Sequence, residues 1–296
     1  MNSPVPNKPS ASYIGSLARS PMSSRTLFST VMTVVAFLCS FLALLPLIAV
    51  LSYVIIQGAS SLKPSLFTEL PPPPLLQKGG IGNAIVGTLF MVGIGGLISI
   101  PFGVLAAIYL TEFSSGQLSR WIRFATNVLS GVPSIIAGVF AYGIVVARMG
   151  GFSAVAGGFA LSILMLPIIV RTADEALQLV SQDLRTAAVG LGATNFQTVA
   201  LVVVPAALPA IVTGATLAIA RAAGETAPLL FTALFSQYWP RDVFGPTASL
   251  AVLVYNFAIS PFKNWQSLAW AASLILVLLV LLTSIIARVA TSRALR

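Results

Sequence analysis

Apolar residues in this chain are grouped in long runs, and short polar segments separate the runs. A helix needs about 20 consecutive, mainly apolar residues to cross the hydrocarbon core of a bilayer. The pattern therefore predicts an all-α integral membrane protein with about six transmembrane helices. We place these helices at residues 27–56, 84–110, 124–147, 152–170, 201–234 and 265–287.

The polar segments divide the chain further. Its start is rich in serine and proline, which is typical of a disordered tail. A cleaved signal peptide is excluded, because the apolar run that follows is too long for the core of a signal sequence. The predicted parts are a disordered basic cytoplasmic tail (1–26), a first transmembrane helix (27–56), an extracytoplasmic loop (57–83), a transmembrane domain (84–287) with a cytoplasmic loop (171–200), and a cytoplasmic tail (288–296).

Composition and charge agree with a membrane protein. Hydrophobic residues make up 57% of the chain and charged residues 8%, against roughly 25% charged residues in a soluble domain. The net charge of +9 does not indicate a nucleic-acid partner, because no basic patch is interleaved with aromatic residues. With the N-terminus inside, ten of the 16 Lys and Arg residues lie on the cytoplasmic side. This bias predicts a multi-pass protein of the cell (inner) membrane with both termini in the cytoplasm.

The residue inventory argues against an enzyme. The chain has no histidine and one cysteine, Cys39, which excludes a Ser-His-Asp triad and disulfide or zinc frameworks. A phosphate-binding loop of the form GxxxxGK[ST] is also absent from the sequence. We therefore expect no catalytic residue, no metal and no cofactor on this chain, and any ATP and Mg would bind to partner subunits.

The polar loop before the fifth span has a pattern of its own. It predicts two short helices joined by a glycine turn, with Ser181 or Asp183 capping the second helix and Gly192 ending it. This loop resembles the EAA loop of ABC importer permeases, although Thr186 stands where that motif has glutamate. The resemblance implies that the loop seats in a groove of an ATP-binding subunit; an ordinary polar loop is the alternative. The residues that it assigns to coupling are Thr186, Ala187, Ala188, Gly190, Gly192 and Pro205.

Two charges lie inside the fifth predicted span. Arg221 and Glu225 are four residues apart, so they share a helix face and can pair. A charge at the centre of a bilayer costs about 2.5–3.5 kcal/mol on insertion scales, and such residues usually pair or face a cavity. The planar guanidinium of arginine fits the oxygens of phosphate. We assign Arg221, Glu225 and, from the cytoplasmic side, Arg171 to a substrate pathway; a structural ion pair is the alternative.

Three further segments carry a resemblance to a family. Residues 79–89, 130–136 and 220–233, the last with a Gly-Glu-Thr-Ala-Pro-Leu-Leu core, are similar to signatures of the PstA-type permeases of phosphate-specific ABC importers. The resemblance implies a type I ABC importer permease fold and an inward flow of inorganic phosphate. It also implies partners: a second, related PstC-like permease chain, two PstB-like ATP-binding subunits and an extracytoplasmic, PstS-like phosphate-binding protein.

Other functions stay open at this point. The chain could be an ABC permease for another oxyanion, such as sulfate or molybdate. A self-sufficient secondary transporter is a further alternative, but it would leave the EAA-like loop unexplained, and the sequence shows no convincing internal repeat.

Overall fold

The computed structural model describes residues 24–76, 78–114 and 116–294, without the side chains of residues 290–294. Within these ranges the chain is helical and contains no strand. Most of the predicted N-terminal tail lies outside the described residues, but its last three residues, 24–26, already belong to the first helix. The predicted C-terminal tail is also largely helical, because the last helix continues to Ala294.

The helices follow one another along the chain with short connections. They are α1 (Ser24–Ala59), α2 (Ser65–Thr68), α3 (Gly82–Ile108), α4 (Gln117–Ser130), α5 (Ser134–Ala141), α6 (Ala147–Met149), α7 (Ala154–Gln178), α8 (Gln182–Gly190), α9 (Asn195–Thr198), α10 (Val204–Ala223), α11 (Ala227–Thr232), α12 (Leu250–Ala258) and α13 (Lys263–Ala294). Wider π turns extend or join some of them, at Tyr109–Phe113, Tyr142–Val146 and Val199–Val203.

The chain divides into two units, Met1–Tyr53 and Val54–Arg296. The described part of the first unit is the N-terminal portion of α1, which is apolar along its length. The second unit holds the end of α1 and all the other helices, and its core is described below.

The expected number of spans is confirmed, with one irregular member. In the described residues, five helices are long and apolar enough to cross a membrane: Ser24–Ala59, Gly82–Phe113, Ala154–Gln178, Asn195–Ala223 and Lys263–Val289. The sixth candidate is the pair Gln117–Ser130 and Ser134–Met149, which meet at an angle of 103°. The sequence predicted one span there, at residues 124–147. Pro133 explains the break, because proline disfavours helical geometry at the residue before it.

The core of the second unit forms around α7. Parallel to it lies α3, and small residues allow close contact between the two helices: a Cβ atom on Gly158 would lie 2.6 Å from Ile94, and one on Gly103 would lie 2.8 Å from Ile169. The antiparallel helix α10 packs on another side of α7, where Gly214 contacts Thr172. These contacts fix the spans that carry the charged residues.

Two predicted boundaries are wrong. The fourth span does not stop at residue 170, since α7 continues to Gln178 and absorbs the first of the two expected loop helices. The extension is amphipathic: Ala173 and Leu177 are buried, whereas Arg171 and Glu175 are exposed. The fifth span does not run unbroken to residue 234, because α10 ends at Ala223 and α11 starts at Ala227. A further helix, α12, occupies a region that the sequence did not assign to a span.

Candidate functional site

The helix break between α10 and α11 carries the two predicted pathway charges. Arg221 lies in the last turn of α10, and Glu225 lies in the three-residue connection to α11. Two amides at the break are hydrogen-bonded within it, since Gly224 N–H donates to Arg221 O and Glu225 N–H donates to Ala222 O, both at 3.2 Å. At membrane depth, an interrupted helix is tolerated where the backbone is buried in protein or lines a water-filled cavity.

The break lies at the level of the middle of the spans. Ala222, next to Arg221, belongs to the same buried cluster as Leu161 and Met165, which lie in the interior of α7. On the other side of the break, Pro228 of α11 approaches Gly138 of α5 so closely that a Cβ atom on Gly138 would lie 2.6 Å from Pro228 Cα. The short helices that follow the two interruptions of the transmembrane region therefore pack against each other.

The two charges face each other loosely. Arg221 Nε and Glu225 Oε1 are 3.9 Å apart, which is too far for a hydrogen bond. The Arg221 side chain is 64% exposed and that of Glu225 only 16%. The guanidinium thus points away from the core of this chain and keeps its donors available, while the carboxylate lies beside it in the wall.

Arg171 does not join this pair. Its Nε donates to Glu175 Oε1 at 2.9 Å on the exposed face of α7. The neighbouring Thr172 contacts Gly214, and Arg221 lies two helical turns beyond Gly214, or about 10 Å along α10. The structure therefore places Arg171 apart from the break, and its assignment to the pathway from one end of the spans stays a prediction.

Arg171 instead lines a polar cavity of about 510 Å³ between α4 and α7. Its other charged lining residues are Arg123, Asp174 and Glu175. Asp174 Oδ1 accepts hydrogen bonds from Arg123 at 2.9 Å and from the Thr111 hydroxyl at 2.6 Å. This network joins α3, α4 and α7 at one end of the spans, and sequence reasoning missed it. The only sequence signal for this network was that Arg123 and Asp174, in two separate polar segments, have opposite charges.

The EAA-like loop forms a compact two-helix turn. As predicted, α8 is a separate helix, and Gly192 follows its end with a φ angle of +88° that favours glycine. Ser181 occupies the N-cap position of α8, but its side chain makes no capping bond. Thr194 and Gln197 form a reciprocal capping box that starts α9. Pro205 then lies in the first turn of α10, directly after the π turn Val199–Val203.

The side chains of the loop divide between interior and surface. Ala188 is buried, whereas Thr186, Ala187 and Gly190 are exposed. The Thr186 hydroxyl donates to Gln182 O in its own helix at 2.6 Å, so it does not replace the outward carboxylate of the EAA motif. Large apolar side chains are also exposed here, with Leu191 at 91% and Phe196 at 71%. A loop of this kind is suited to insertion into another protein surface.

An ion pair ties α8 to the spans. Arg185 Nη1 binds Glu112 Oε2, which belongs to the π turn at the end of α3, and Arg185 Nη2 donates to Leu177 O of α7 at 2.8 Å. The Arg185 side chain is only 18% exposed and the Glu112 side chain only 7%. Sequence reasoning assigned no role to Arg185 in this pairing or to Glu112, because 73 positions separate them.

A match to a family model identifies the family of this chain. The family model "Binding-protein-dependent transport system inner membrane component" matches residues 99–296. This chain belongs to that family.

The permease has relatives over most of its length. It is 44% identical over 244 residues to the phosphate transport system permease protein PstA of Yersinia pestis, covering 82% of this chain and 83% of the relative. It is 42% identical over 266 residues to PstA of Pasteurella multocida (strain Pm70), covering 90% and 95%. The predicted membership of the PstA-type permeases is confirmed by these two matches.

Solved structures confirm the fold. The permease matches a chain of the inward-facing MetNI methionine ABC transporter with a TM-score of 0.59 at 22% identity, covering 72% of this chain and 95% of that chain. A chain of a bacterial alginate ABC transporter matches with a TM-score of 0.60 at 15% identity, covering 90% and 94%. At these identities the matches carry the type I importer permease fold and nothing about substrate. The roles of the individual site residues stay predictions.

The pairing of Arg185 with Glu112 leads to a test of stability. Arg185→Gln leaves a buried carboxylate without its partner, so we expect a loss of about 3–5 kcal/mol in unfolding free energy. The double variant Arg185→Gln with Glu112→Gln removes both charges and should recover much of that loss. Denaturant unfolding in detergent of the unchanged chain, of both single variants (the second being Glu112→Gln) and of the double variant would measure the coupling energy of the pair.

A matched control is available in the exposed pair Arg171–Glu175, whose side chains are 63% and 59% exposed. The corresponding single and double variants of Arg171 and Glu175 should give a coupling energy of only about 0.3–0.5 kcal/mol. Equal coupling energies for the two pairs would contradict a structural role for Arg185.

Proposed function

We propose that this chain is the permease subunit of an ATP-driven importer of inorganic phosphate and forms half of the pathway. The names of the PstA relatives support this substrate. The observation that carries the proposal is the position of Arg221, a largely exposed guanidinium at the level of the middle of the spans. A residue so costly to bury in a bilayer is expected to face a polar route, and its fork of donors matches an oxyanion.

The weak pairing of Arg221 with Glu225 fits a transient contact. A pathway must bind its ion well enough to admit it and weakly enough to release it. A carboxylate 3.9 Å from Arg221 Nε lowers the net positive charge at the site without occupying the guanidinium. Phosphate would bind to the free donors of Arg221, and Glu225 would limit the strength of that binding.

A second permease chain should complete the pathway. Since the Arg221 side chain is 64% exposed on this chain, lipid would surround it unless another protein covered that face. A related PstC-like chain with its own polar face is the partner that the resemblance implies. An extracytoplasmic, PstS-like binding protein would deliver phosphate to the end of the spans opposite α8.

Two PstB-like ATP-binding subunits would dock on the cytoplasmic loops, one of them on α8 and α9, and ATP and Mg would bind there. The exposed Ala187, Gly190, Leu191 and Phe196 supply small and apolar contacts for a groove. Both termini would then lie in the cytoplasm, in agreement with the distribution of basic residues.

The buried ion pair offers a route for coupling. A displacement of α8 is transmitted by Arg185 to Glu112 at the end of α3 and to Leu177 near the end of α7. Because α7 also packs against the residues beside Arg221, movement of α7 can change the geometry of the helix break. Closure of the ATP-binding subunits would in this way open the break toward the binding protein.

Uptake of radiolabelled phosphate into vesicles with the assembled transporter tests the pathway residues. Arg221→Ala removes charge-assisted hydrogen bonds worth about 1.5–3 kcal/mol, so uptake at low phosphate should fall roughly 10- to 150-fold. Arg221→Lys should recover only part of the lost uptake, because an ammonium group lacks the planar array of donors of a guanidinium. Glu225→Gln should alter release and so change the maximal rate.

Arg148→Ala is the control for loss of an exposed arginine elsewhere, and it should transport normally. Excess sulfate should leave phosphate uptake unchanged; strong inhibition would favour the other-oxyanion alternative. Full uptake in all three variants of the pair would leave Arg221 and Glu225 as a structural ion pair only.

Docking of the ATP-binding subunits can be tested at Gly190. A Cβ atom there meets nothing within 4 Å in this chain, so Gly190→Leu should fold normally but fill the space that a partner needs. We expect co-purification of the ATP-binding subunits to fall at least about fivefold, in line with the 1–3 kcal/mol cost of overpacking an interface.

Gly151→Leu is the matched control, since Gly151 is exposed and equally open but lies at the opposite end of α7 from α8. It should retain the ATP-binding subunits. Unchanged co-purification for Gly190→Leu would contradict the assignment of this loop to coupling.

A further inference from the structure

A second polar cavity lies at the end of the spans opposite α8. Its volume is about 350 Å³, and its lining includes Lys63, Lys78 and Lys263. These are all the lysines of the described residues, the fourth lysine of the chain being Lys8. They come from three distant segments: the connection before α2, the loop before α3 and the first residue of α13.

The charge of this cavity is not balanced by the protein. No aspartate or glutamate is among its lining residues, and the three lysines form no salt bridge within the described part of the chain. Neutral polar residues accompany them, because the lining also includes Ser60, Ser61, Ser65, Asn264 and Ser267. Three cations and several neutral polar residues around one space are complementary to an anion with several oxygens.

Hydrogen bonds hold the three segments in place. Trp265 Nε1 of α13 donates to Pro72 O at 2.9 Å, and Asn264 Nδ2 donates to Leu76 O at 2.8 Å. The loop is tied to α2 as well, because Ile81 N–H donates to Leu66 O at 2.8 Å. The lysines therefore extend from a backbone framework that is fixed before any ligand arrives.

An apolar groove adjoins the basic cavity. It has a volume of about 620 Å³, and Lys63 lines both spaces. Apart from Lys63 and Thr283, the groove residues are apolar, and on α13 they form one stripe: Ile275, Leu278, Leu279, Leu282 and Thr283. From Leu268 in the cavity to Ile275 in the groove, the rise along α13 is about 10 Å. A polar head group and an acyl chain have this relation to each other in a phospholipid.

We propose that this composite site binds an anionic glycerophospholipid of the leaflet opposite the α8–α9 loop. The phosphodiester lies among Lys63, Lys78 and Lys263, and an acyl chain occupies the groove along α13. The groove decides between two sources of the same phosphate chemistry, because a free phosphate ion would have no use for it. The bound lipid would hold the outer ends of α1, α3 and α13 together.

The test uses the full-length chain in detergent and native mass spectrometry to count bound lipid. Dioleoylphosphatidylglycerol is the probe, and dioleoylphosphatidylcholine is the zwitterionic comparison. The triple variant Lys63→Gln, Lys78→Gln and Lys263→Gln should bind phosphatidylglycerol about a hundredfold more weakly, or about fivefold per lysine. A control triple variant, Lys8→Gln, Arg148→Gln and Arg241→Gln, loses the same charge elsewhere and should bind as the unchanged chain does.

Two further arms separate the sources of phosphate. Deacylated glycerophosphoglycerol and inorganic phosphate should compete poorly with the lipid, because neither can fill the groove. If either competes as well as the intact lipid does, the site is an ion site and the lipid proposal fails. Equal binding of the two phospholipids, or no loss in the lysine triple variant, would also overturn it.

Discussion

A backbone that crosses a bilayer must satisfy its hydrogen bonds within the protein, and this constraint determines where the permease can interrupt its helices. Two interruptions occur in the described residues of the transmembrane region, before Ser134 and before Ala227. Each is followed by a short helix, and the two short helices pack on each other at Gly138 and Pro228. The protein thus gathers its irregular backbone in one place, and the weakly paired charges of Arg221 and Glu225 lie beside it.

The ion pairs of the described residues differ in burial and in the distance between their charges. Arg221 and Glu225 are loosely paired and unequal in exposure, which suits a site that exchanges partners with a passing anion. Arg185 and Glu112 are both largely buried and in direct contact, which suits a permanent link between α8 and the π turn at the end of α3. Arg171 and Glu175 are exposed neighbours on one helix and contribute little. Burial and distance, rather than residue type, distinguish the three pairs.

The sequence predicted what depends on local pattern. Hydrophobic run length located the spans, and the spacing of Ala187, Ala188 and Gly192 predicted the helix α8 and the glycine turn after it. Pro133 is a sequence signal for a helix break, but the apolar run around it led to the prediction of a single span. The extension of α7 was missed because its exposed face is charged, although Ala173 and Leu177 show the buried face.

Contacts between distant segments could not be predicted in this way. The link from Arg185 to Glu112 and the convergence of three lysines depend on how the helices pack, and no local signal records that packing. For the same reason, the sequence could not give the separation of Arg171 from Arg221, which the antiparallel packing of α7 and α10 sets at about two helical turns.

In the proposed pathway, the break beside Arg221 faces an aqueous route for phosphate. Cys39→Ser removes the only cysteine, and Gly224→Cys then places a thiol between Arg221 and Glu225 at an exposed position. Reaction with a membrane-impermeant thiol reagent would be followed in the assembled transporter, with Gln237→Cys in an exposed loop as the positive control. We predict that the Gly224→Cys thiol reacts and that phosphate, but not sulfate, slows the reaction. An unreactive thiol at Gly224→Cys beside a reactive control, or a reaction that phosphate leaves unchanged, would contradict it.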